Sequence, residues 1–208
     1  MQERFRRRNL PHWDINGGTF FVTCCLAGSI SSRGQSASRR FRCNDSAGRF
    51  RERERQLDEG RGVRWMDDRR VASAVRDAML YFAGDRYDVF AYVVMPSHVH
   101  WVFRPLPAWN DRRECGGDHR PAREVVVHSF CRHSALICNR LLQRSGPFWQ
   151  HESYDRVVRN DSELRRIVDY IEFNPVKAGL CGRSEEWEFS SAWAAGRSRL
   201  APKLVPRF

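Results

Sequence analysis

The chain has 208 residues and a formal net charge of +11, so it can bury the core of one domain and favours an anionic partner, of which nucleic acid is the first candidate. Its seven cysteines are odd in number and include no Cys-x-x-Cys pair, which argues against a disulfide framework and against a structural zinc module. No apolar run approaches the ~18 residues that cross a bilayer, and the first residues lack the apolar segment of a secretory signal, so we expect a cytoplasmic protein that contacts no membrane.

The positive charge has two explanations. Of the 36 basic residues, only Lys177 and Lys203 are lysine. Arginine is well suited to binding the phosphates of nucleic acids, but GC-rich codon usage also produces an excess of arginine. The charge therefore supports nucleic-acid binding without establishing it.

The first half of the chain predicts a strand, a long polar insertion and a helix. Residues 20–27 (FFVTCCLA) form an apolar, β-rich run that is typical of a strand. From about 28 to 60 the sequence is polar and rich in arginine, so we expect a mobile loop with at most a short helix over 51–57. Asp67 or Asp68 can cap the next helix. The apolar positions of this helix recur every three or four residues and are Val71, Val75, Met79 and Phe82.

The second half predicts three strands and two helices. Residues 90–103 (FAYVVMPSHVHWVF) indicate two strands joined by a tight Pro-Ser turn. Residues 107–123 form a second polar insertion. A helix over 125–142, a strand over 148–159 and a final helix that begins at Asn160 follow.

The final helix completes a recognisable order of elements. Asn160 and Glu163 resemble a capping box at its start, and Asn174-Pro175 should end it. The order is β-α-β-β-α-β followed by one more helix. We therefore expect one α+β domain over residues 1–208 with a ferredoxin-like split βαβ fold. Its four-stranded antiparallel sheet would have helices on one face, a C-terminal tyrosine-bearing helix, and a second face free for a site.

His98 and His100 are the first candidate site residues. Residues two apart in a strand point to the same face, so both imidazoles can converge on one metal ion while Val99 turns into the core. Histidines at strand edges are also often surface groups with no ligand, so His-x-His alone leaves both readings open.

Tyr170 and Asn174 are the second pair of candidates. Leu164, Ile167 and Ile171 belong to an apolar stripe on the final helix, and Tyr170 lies on the flank of that stripe. Asn174 is one turn later on the same side, so this helix could bring a phenol and an amide oxygen to the histidines. Alternatively, Tyr170 is a boundary aromatic and Asn174 a helix terminator. Tyr81, Tyr87, Tyr92 and Tyr154 also compete for the role of nucleophile, but none combines a helical flank with a nearby oxygen ligand.

Three blocks of the sequence resemble the REP-associated tyrosine transposases, which belong to the HUH-type single-tyrosine transposases of bacterial insertion sequences. The blocks are VVMPSHVHWVF, GPFWQHESYDRVVRNDSEL and DYIEFNPVKAGL. The opening segment RRRNLPHWDINGGTFFVTCCLAGS also resembles that family's first strand. The resemblance covers roughly residues 6–30 and 61–193 and leaves the two insertions unmatched.

The resemblance implies a function and a role for each candidate. His98 and His100 would bind a divalent cation, Mg²⁺ or Mn²⁺, with Asn174 as a third ligand. Tyr170 would attack a DNA phosphate and form a 5′-phosphotyrosine, so that the protein cleaves and rejoins single-stranded hairpin DNA as a transposase. Two alternatives stay open: a catalytically silent or domesticated hairpin-binding protein, and a metal-dependent phosphodiesterase that uses water as the nucleophile.

We expect the DNA contacts to come mainly from arginine. The candidates are Arg6, Arg7 and Arg8 near the start, and Arg156 and Arg159 near the final strand. Arg159 could equally be a structural ion-pair partner. The expected partner is single-stranded or hairpin DNA, which would associate the protein with the nucleoid, and the choice between monomer and homodimer stays open.

The sequence departs from the family pattern at three positions. Ser97 replaces an asparagine, Cys131 a lysine and His133 an aromatic residue, changes that concern DNA affinity and positioning more than the chemistry. Trp101 and Trp149 could stack on bases, although core packing is the commoner role for tryptophan in such runs.

Overall fold

A four-stranded antiparallel sheet forms the centre of this computed structural model, which describes residues 3–7, 11–30, 46–59 and 62–193. The strands in chain order are β1 (Glu3–Arg7), β2 (Pro11–Ile15), β3 (Thr19–Cys25), β4 (Tyr87–Val94), β5 (His98–Pro105) and β6 (Tyr154–Val158). The sheet has the order β4-β5-β3-β6, and each strand is antiparallel to its neighbours. β1 and β2 pair with each other in a separate hairpin.

The described part of the chain contains five α-helices. They are α1 (Ser46–Asp58), α2 (Arg69–Leu80), α3 (Pro107–Cys115), α4 (Ala122–Leu141) and α5 (Asp161–Lys177). Short 3₁₀ turns lie at Trp65–Asp67 and Ser184–Glu186. Within these described ranges, no helix is both long enough and apolar enough to span a membrane.

α2 and α4 cover one face of the sheet. The side chain of Asp68 accepts a hydrogen bond from the Arg70 N–H at 2.9 Å and so caps α2. Val75 of α2 and Phe130 of α4 pack with Trp101 of β5 in the main hydrophobic core. The predicted cap and apolar stripe of α2 are therefore confirmed.

The other face of the sheet carries the two histidines, and we call it the histidine face. Alternate residues of a strand point to opposite faces, so His98, His100 and Val102 share this face of β5. Val102 packs in a second core with Ile171 of α5. Thr23 of β3 lies opposite His100 in the strand register and completes the part of this face that matters below.

The start of α5 follows the sequence prediction. The Asn160 side chain accepts a hydrogen bond from the Glu163 N–H at 2.9 Å, and the Glu163 carboxylate accepts one from the Arg159 N–H at 2.7 Å. One backbone donor of the first turn and one just before the helix are thereby satisfied. The apolar stripe that begins one turn later packs on the histidine face.

The predicted end of α5 is wrong, because the helix continues through Pro175 to Lys177. Proline lacks an N–H and so removes one hydrogen bond of the helical ladder, but the turn survives. The helix ends in a Schellman motif: the Leu180 N–H donates to the Pro175 carbonyl and the Gly179 N–H to the Val176 carbonyl, both at 2.9 Å. Gly179 has φ +70°, the left-handed conformation that this motif requires.

The predicted order of the sheet elements is confirmed as β3, α2, β4, β5, α4, β6 and α5. The first insertion was predicted as a mobile loop with at most a short helix over 51–57, and α1 contains this helix but is longer, at Ser46–Asp58. The second was predicted only as a polar insertion, and it forms α3. The β1–β2 hairpin was not predicted. Residues 31–45 of the first insertion lie outside the described residues.

The expectation of a free second sheet face is also wrong, because α1 and α5 both cover the histidine face. Phe50 of α1 packs against Phe21 of β3, with ring centroids 5.8 Å apart. Leu57, near the end of α1, is buried with Cys25 and Ile30. The histidines consequently lie beneath a helix and not at an open surface.

Candidate metal and tyrosine site

His98 and His100 lie together at the start of β5. Their ring centroids are 4.7 Å apart, and the residues are 1% and 0% exposed. The Thr23 hydroxyl lies 2.8 Å from His100 Nδ1, and the Ser97 hydroxyl lies 3.1 Å from His98 Nδ1. For metal binding, each Nδ1 would carry the proton and donate it to its hydroxyl, so that each Nε2 offers a lone pair as a ligand; without a metal, a proton on His100 Nε2 instead bonds to Glu54.

Glu54 of α1 brings a carboxylate to the two imidazoles. Its Oε2 atom lies 3.0 Å from His100 Nε2. One ligand atom from each of Glu54, His98 and His100 can be chosen so that all lie within 4.8 Å of one another, and all three residues are buried. This spacing matches a site for a metal ion with two nitrogen ligands and one oxygen ligand.

The surroundings of these groups set their charge states. Burial of Glu54 raises its pKa, but the neighbouring His100 and His98, with hydrogen bonds from His100 and Tyr170, outweigh this and lower it to about 2. Burial, followed by the charge of His100, lowers the pKa of His98 to about 3. At neutral pH the carboxylate is therefore ionised and the His98 imidazole is neutral, which are the forms that bind metals.

Sequence reasoning missed Glu54, because the segment RFRERERQLD appeared too polar for a packed element. One signal was present: Phe50, Glu54 and Leu57 recur at the spacing of a single helical face.

Tyr170 of α5 lies beside this cluster, as the sequence predicted. Its hydroxyl donates a hydrogen bond to Glu54 Oε2. The centroid of its ring is 5.5 Å from that of His100 and 6.2 Å from those of Phe21 and Phe50. The residue is half-buried, so the ring is held by packing while one side stays open to solvent.

Asn174, one turn after Tyr170, is 1% exposed. Its Oδ1 and Nδ2 atoms have no hydrogen-bond partner among the described residues, and the same holds for His98 Nε2 and Glu54 Oε1. A buried polar atom without a partner costs about 1–3 kcal/mol, so several such atoms are a sign of a missing group. The two imidazoles and the Glu54 carboxylate form a donor set that fits Mn²⁺, and Mg²⁺ with retained waters, whereas a role for Asn174 as a further ligand stays a prediction.

Helix α1 is held over the site by contacts along one side. Phe50 packs against Tyr154 with ring centroids 4.8 Å apart. The Arg53 guanidinium donates to the Gln150 side-chain oxygen at 2.5 Å, and Gln150 in turn donates to the Leu26 carbonyl at 3.3 Å. These contacts connect α1 to the segment before β6 and to the end of β3.

The structure describes the predicted DNA-binding arginines except Arg8. Arg6 and Arg7 belong to β1, and Arg8 lies outside the described residues. Arg156 is exposed on β6 and forms an ion pair with Glu163. Arg159 is also exposed, and its backbone N–H bonds to Glu163. Contact of any of these arginines with DNA stays a prediction.

Trp101 and Trp149 are both buried in the core, so the alternative in which they stack on bases is wrong. The Trp149 indole N–H donates to the Ser134 hydroxyl at 2.9 Å. Cys131 lies on the face of the sheet opposite the histidines, with its sulfur 3.9 Å from that of Cys24. His133, which is exposed on the same helix, likewise belongs to the layer away from the site.

Comparisons with known proteins agree with the resemblance in the sequence blocks. No protein-family model matches the chain. The REP-associated tyrosine transposase of Escherichia coli K12 is 29% identical over 118 residues, which are 56% of this chain and 62% of that protein. A Haemophilus influenzae protein named as a REP-associated tyrosine transposase is 27% identical over 123 residues, with 56% and 65% coverage. The matches thus span less than two thirds of these curated relatives.

A solved structure supports the fold over nearly the whole chain. It is a REP-associated tyrosine transposase bound to a REP hairpin, and it aligns with a TM-score of 0.54 and 20% identity. The alignment covers 99% of this chain and 89% of the other. The chain is therefore similar in sequence to the REP-associated tyrosine transposases over about half its length, and it shares the α+β fold of one of them over nearly its whole length.

Proposed function

We propose that this protein cleaves and rejoins single-stranded hairpin DNA through a covalent bond to Tyr170, at a site where His98, His100 and Glu54 bind a divalent cation. One observation carries the proposal. The Tyr170 hydroxyl donates to the carboxylate that also contacts His100, so the nucleophile and the metal-binding groups share one oxygen.

The cation would be held by His98, His100 and Glu54, with Asn174 as a fourth ligand. When bound, it would polarise the scissile phosphate and offset the negative charge that develops there. The hydroxyls of Thr23 and Ser97 fix the two rings through Nδ1. In the metal-bound form, these hydrogen bonds at Nδ1 would keep the proton on that atom and leave the Nε2 lone pair of each ring available to the metal.

Tyr170 would supply the nucleophile. A phenol with an ordinary pKa of about 10 is a weak nucleophile at neutral pH, so it must be oriented and its proton removed. The bond to Glu54 orients the oxygen, and packing against Phe21 and Phe50 holds the ring. A bond forms between the phenolic oxygen and phosphorus, the bond from phosphorus to the 3′-oxygen breaks, and the proton lost by the phenol is balanced by the one gained by the 3′-hydroxyl.

The products retain what rejoining needs. A 5′-phosphotyrosine and a free 3′-hydroxyl can react in reverse, so no nucleotide cofactor is required. Hairpin DNA as the substrate is supported by the solved relative, which is bound to a REP hairpin, and by the net charge of +11. Such a substrate would associate the protein with the nucleoid.

The proposal is tested by trapping the covalent intermediate. The protein is incubated with a labelled hairpin strand and Mn²⁺, separated on a denaturing gel, and the adduct is mapped by mass spectrometry. We expect an adduct on Tyr170. Tyr170→Phe should form none, although it should still fold and bind DNA, because the substitution removes one oxygen and keeps the ring.

A matched control uses the nearby aromatic Tyr154, where Tyr154→Phe should retain the adduct. An adduct on Tyr154 instead would reassign the nucleophile. Cleavage that is undiminished in Tyr170→Phe and leaves no adduct would show that water attacks, as in an ordinary phosphodiesterase.

A second candidate function is a silent hairpin-binding protein. It is favoured by the burial of both imidazoles beneath α1, at 1% and 0% exposure, which restricts access of a phosphate to them. Hairpin binding without cleavage of any tested strand would support this function.

A further inference from the structure

A cavity between α1 and α5 opens directly above the candidate nucleophile. It has a volume of about 500 Å³ and is lined by Phe50, Arg51, Glu54, Arg55, Glu59, Tyr170 and Lys177. Glu54 is buried and Tyr170 half-buried, whereas Arg51, Arg55 and Lys177 are exposed. The cavity therefore leads from a cationic rim to the groups that would carry the chemistry.

At this rim, Arg55 is bound by carboxylates of its own helix and of the residue that follows the helix. The Arg55 guanidinium contacts the Glu52 carboxylate at 2.7 and 3.0 Å and also pairs with Glu59. Two carboxylates thus compete with any anion for Arg55. Lys177 lies on the opposite wall, on the helix that carries Tyr170.

Helix geometry places Lys177 on the same side of α5 as the site. It follows Tyr170 by seven residues, which is close to two full turns and about 10 Å along the axis. Asn174 lies between them on this side.

We propose that Lys177 binds a phosphate of the DNA strand next to the one that Tyr170 attacks, and that the strand enters through this cavity. This assignment rests on the proposed function and adds a positioning residue and an entry route to it. A flexible lysine side chain at the mouth suits a backbone phosphate, because an ammonium ion binds phosphate as a point charge without reading the base.

The test compares Lys177→Gln with a matched control on the same helix. Arg165→Gln removes one positive charge at an exposed position that lies about 140° around the helix from Tyr170. Adduct formation is measured in single turnovers as a function of DNA concentration, with a labelled hairpin strand, Mn²⁺ and several salt concentrations. Circular dichroism establishes that each variant is folded.

We expect Lys177→Gln to raise the DNA concentration for half-maximal rate by roughly five- to tenfold. The maximal rate should change little, and the slope of log affinity against log salt should become shallower by about 0.7. Lys177→Arg should restore most of the affinity, and Arg165→Gln should behave as the parent protein. Equal half-saturation for Lys177→Gln and Arg165→Gln would overturn the assignment.

Failure of the proposed function can be distinguished from failure of this inference. If the parent protein forms no adduct, the same variants are compared by fluorescence anisotropy with the labelled hairpin strand. A loss of affinity in Lys177→Gln that is absent from Arg165→Gln would support the phosphate contact even without cleavage. Equal affinities in that assay would overturn it.

Discussion

A buried carboxylate is stable only with suitable partners, and Glu54 has partners of the kind that surround a metal ligand. Its Oε2 atom accepts the Tyr170 hydroxyl and lies 3.0 Å from His100 Nε2. Its Oε1 atom has no hydrogen-bond partner among the described residues. Burying a charge costs several kcal/mol unless other groups compensate for it, so a cation at this position would resolve the charge and the unpartnered atom together.

The first prediction concerns this carboxylate. Glu54→Gln keeps the shape of the side chain but removes the negative charge, so the affinity of the metal-free protein for Mn²⁺ should fall by at least about tenfold. Glu52→Gln is the control, because it makes the same charge change on α1 at a residue that bonds Arg55 away from the histidines. Titration followed by electron paramagnetic resonance or calorimetry gives both affinities. Unchanged Mn²⁺ binding in Glu54→Gln would remove Glu54 from the site.

At the scale of secondary-structure elements, the helices with a wide apolar stripe were the easiest to predict from the sequence. α2 and α5 each carry a stripe of apolar residues with a polar cap before it, and both were predicted. α1 has two large apolar residues with described side chains, Phe50 and Leu57, among many charges. A local analysis of the sequence sees mainly the polar residues of such a segment and predicts a loop. The helix forms because it packs on a surface elsewhere in the fold, and that surface provides its stability. The residues that α1 contacts are distant in sequence, so Glu54 could not be placed before the fold was known.

The second prediction tests how α1 is held. Phe50 is half-buried between the rings of Phe21, Tyr154 and Tyr170, so Phe50→Ala should lower the free energy of unfolding by about 1–3 kcal/mol. Hydrogen exchange should accelerate mainly in α1, because the substitution weakens the docking of that helix. Leu136→Ala, at a residue that is 52% exposed on α4, is the apolar control and should change stability by less than about 0.5 kcal/mol. Exchange that accelerates equally throughout the sheet would contradict local docking of α1.

At the scale of the whole molecule, the order of strands and helices along the chain could be predicted, but which helices cover each face of the sheet could not. Alternation along β5 correctly assigned His98 and His100 to one face, and the spacing of α5 correctly brought Tyr170 to them. The sequence contained no local signal that an insertion would return over that same face. The candidate site is therefore reached between two helices, whereas the arginines lie on the surface. DNA binding by the arginines and the reaction at the candidate site must consequently be tested separately.

The third prediction concerns those exposed charges. Binding to DNA should weaken steeply as salt rises, because each arginine that contacts a phosphate releases condensed counterions. A hairpin-bearing single strand should compete better than blunt duplex of equal length.

Arg159→Gln should make the slope of log affinity against log salt shallower by about 0.7 for single-stranded DNA. It is a cleaner test than a substitution of Arg156, whose loss would also break the ion pair with Glu163. Arg132→Gln is the control, since it removes an exposed charge from α4, on the opposite side of the sheet. Affinities measured by anisotropy over a range of salt concentrations decide the matter: a flat salt dependence, or a preference for blunt duplex, would attribute the arginine excess to codon usage and not to DNA binding.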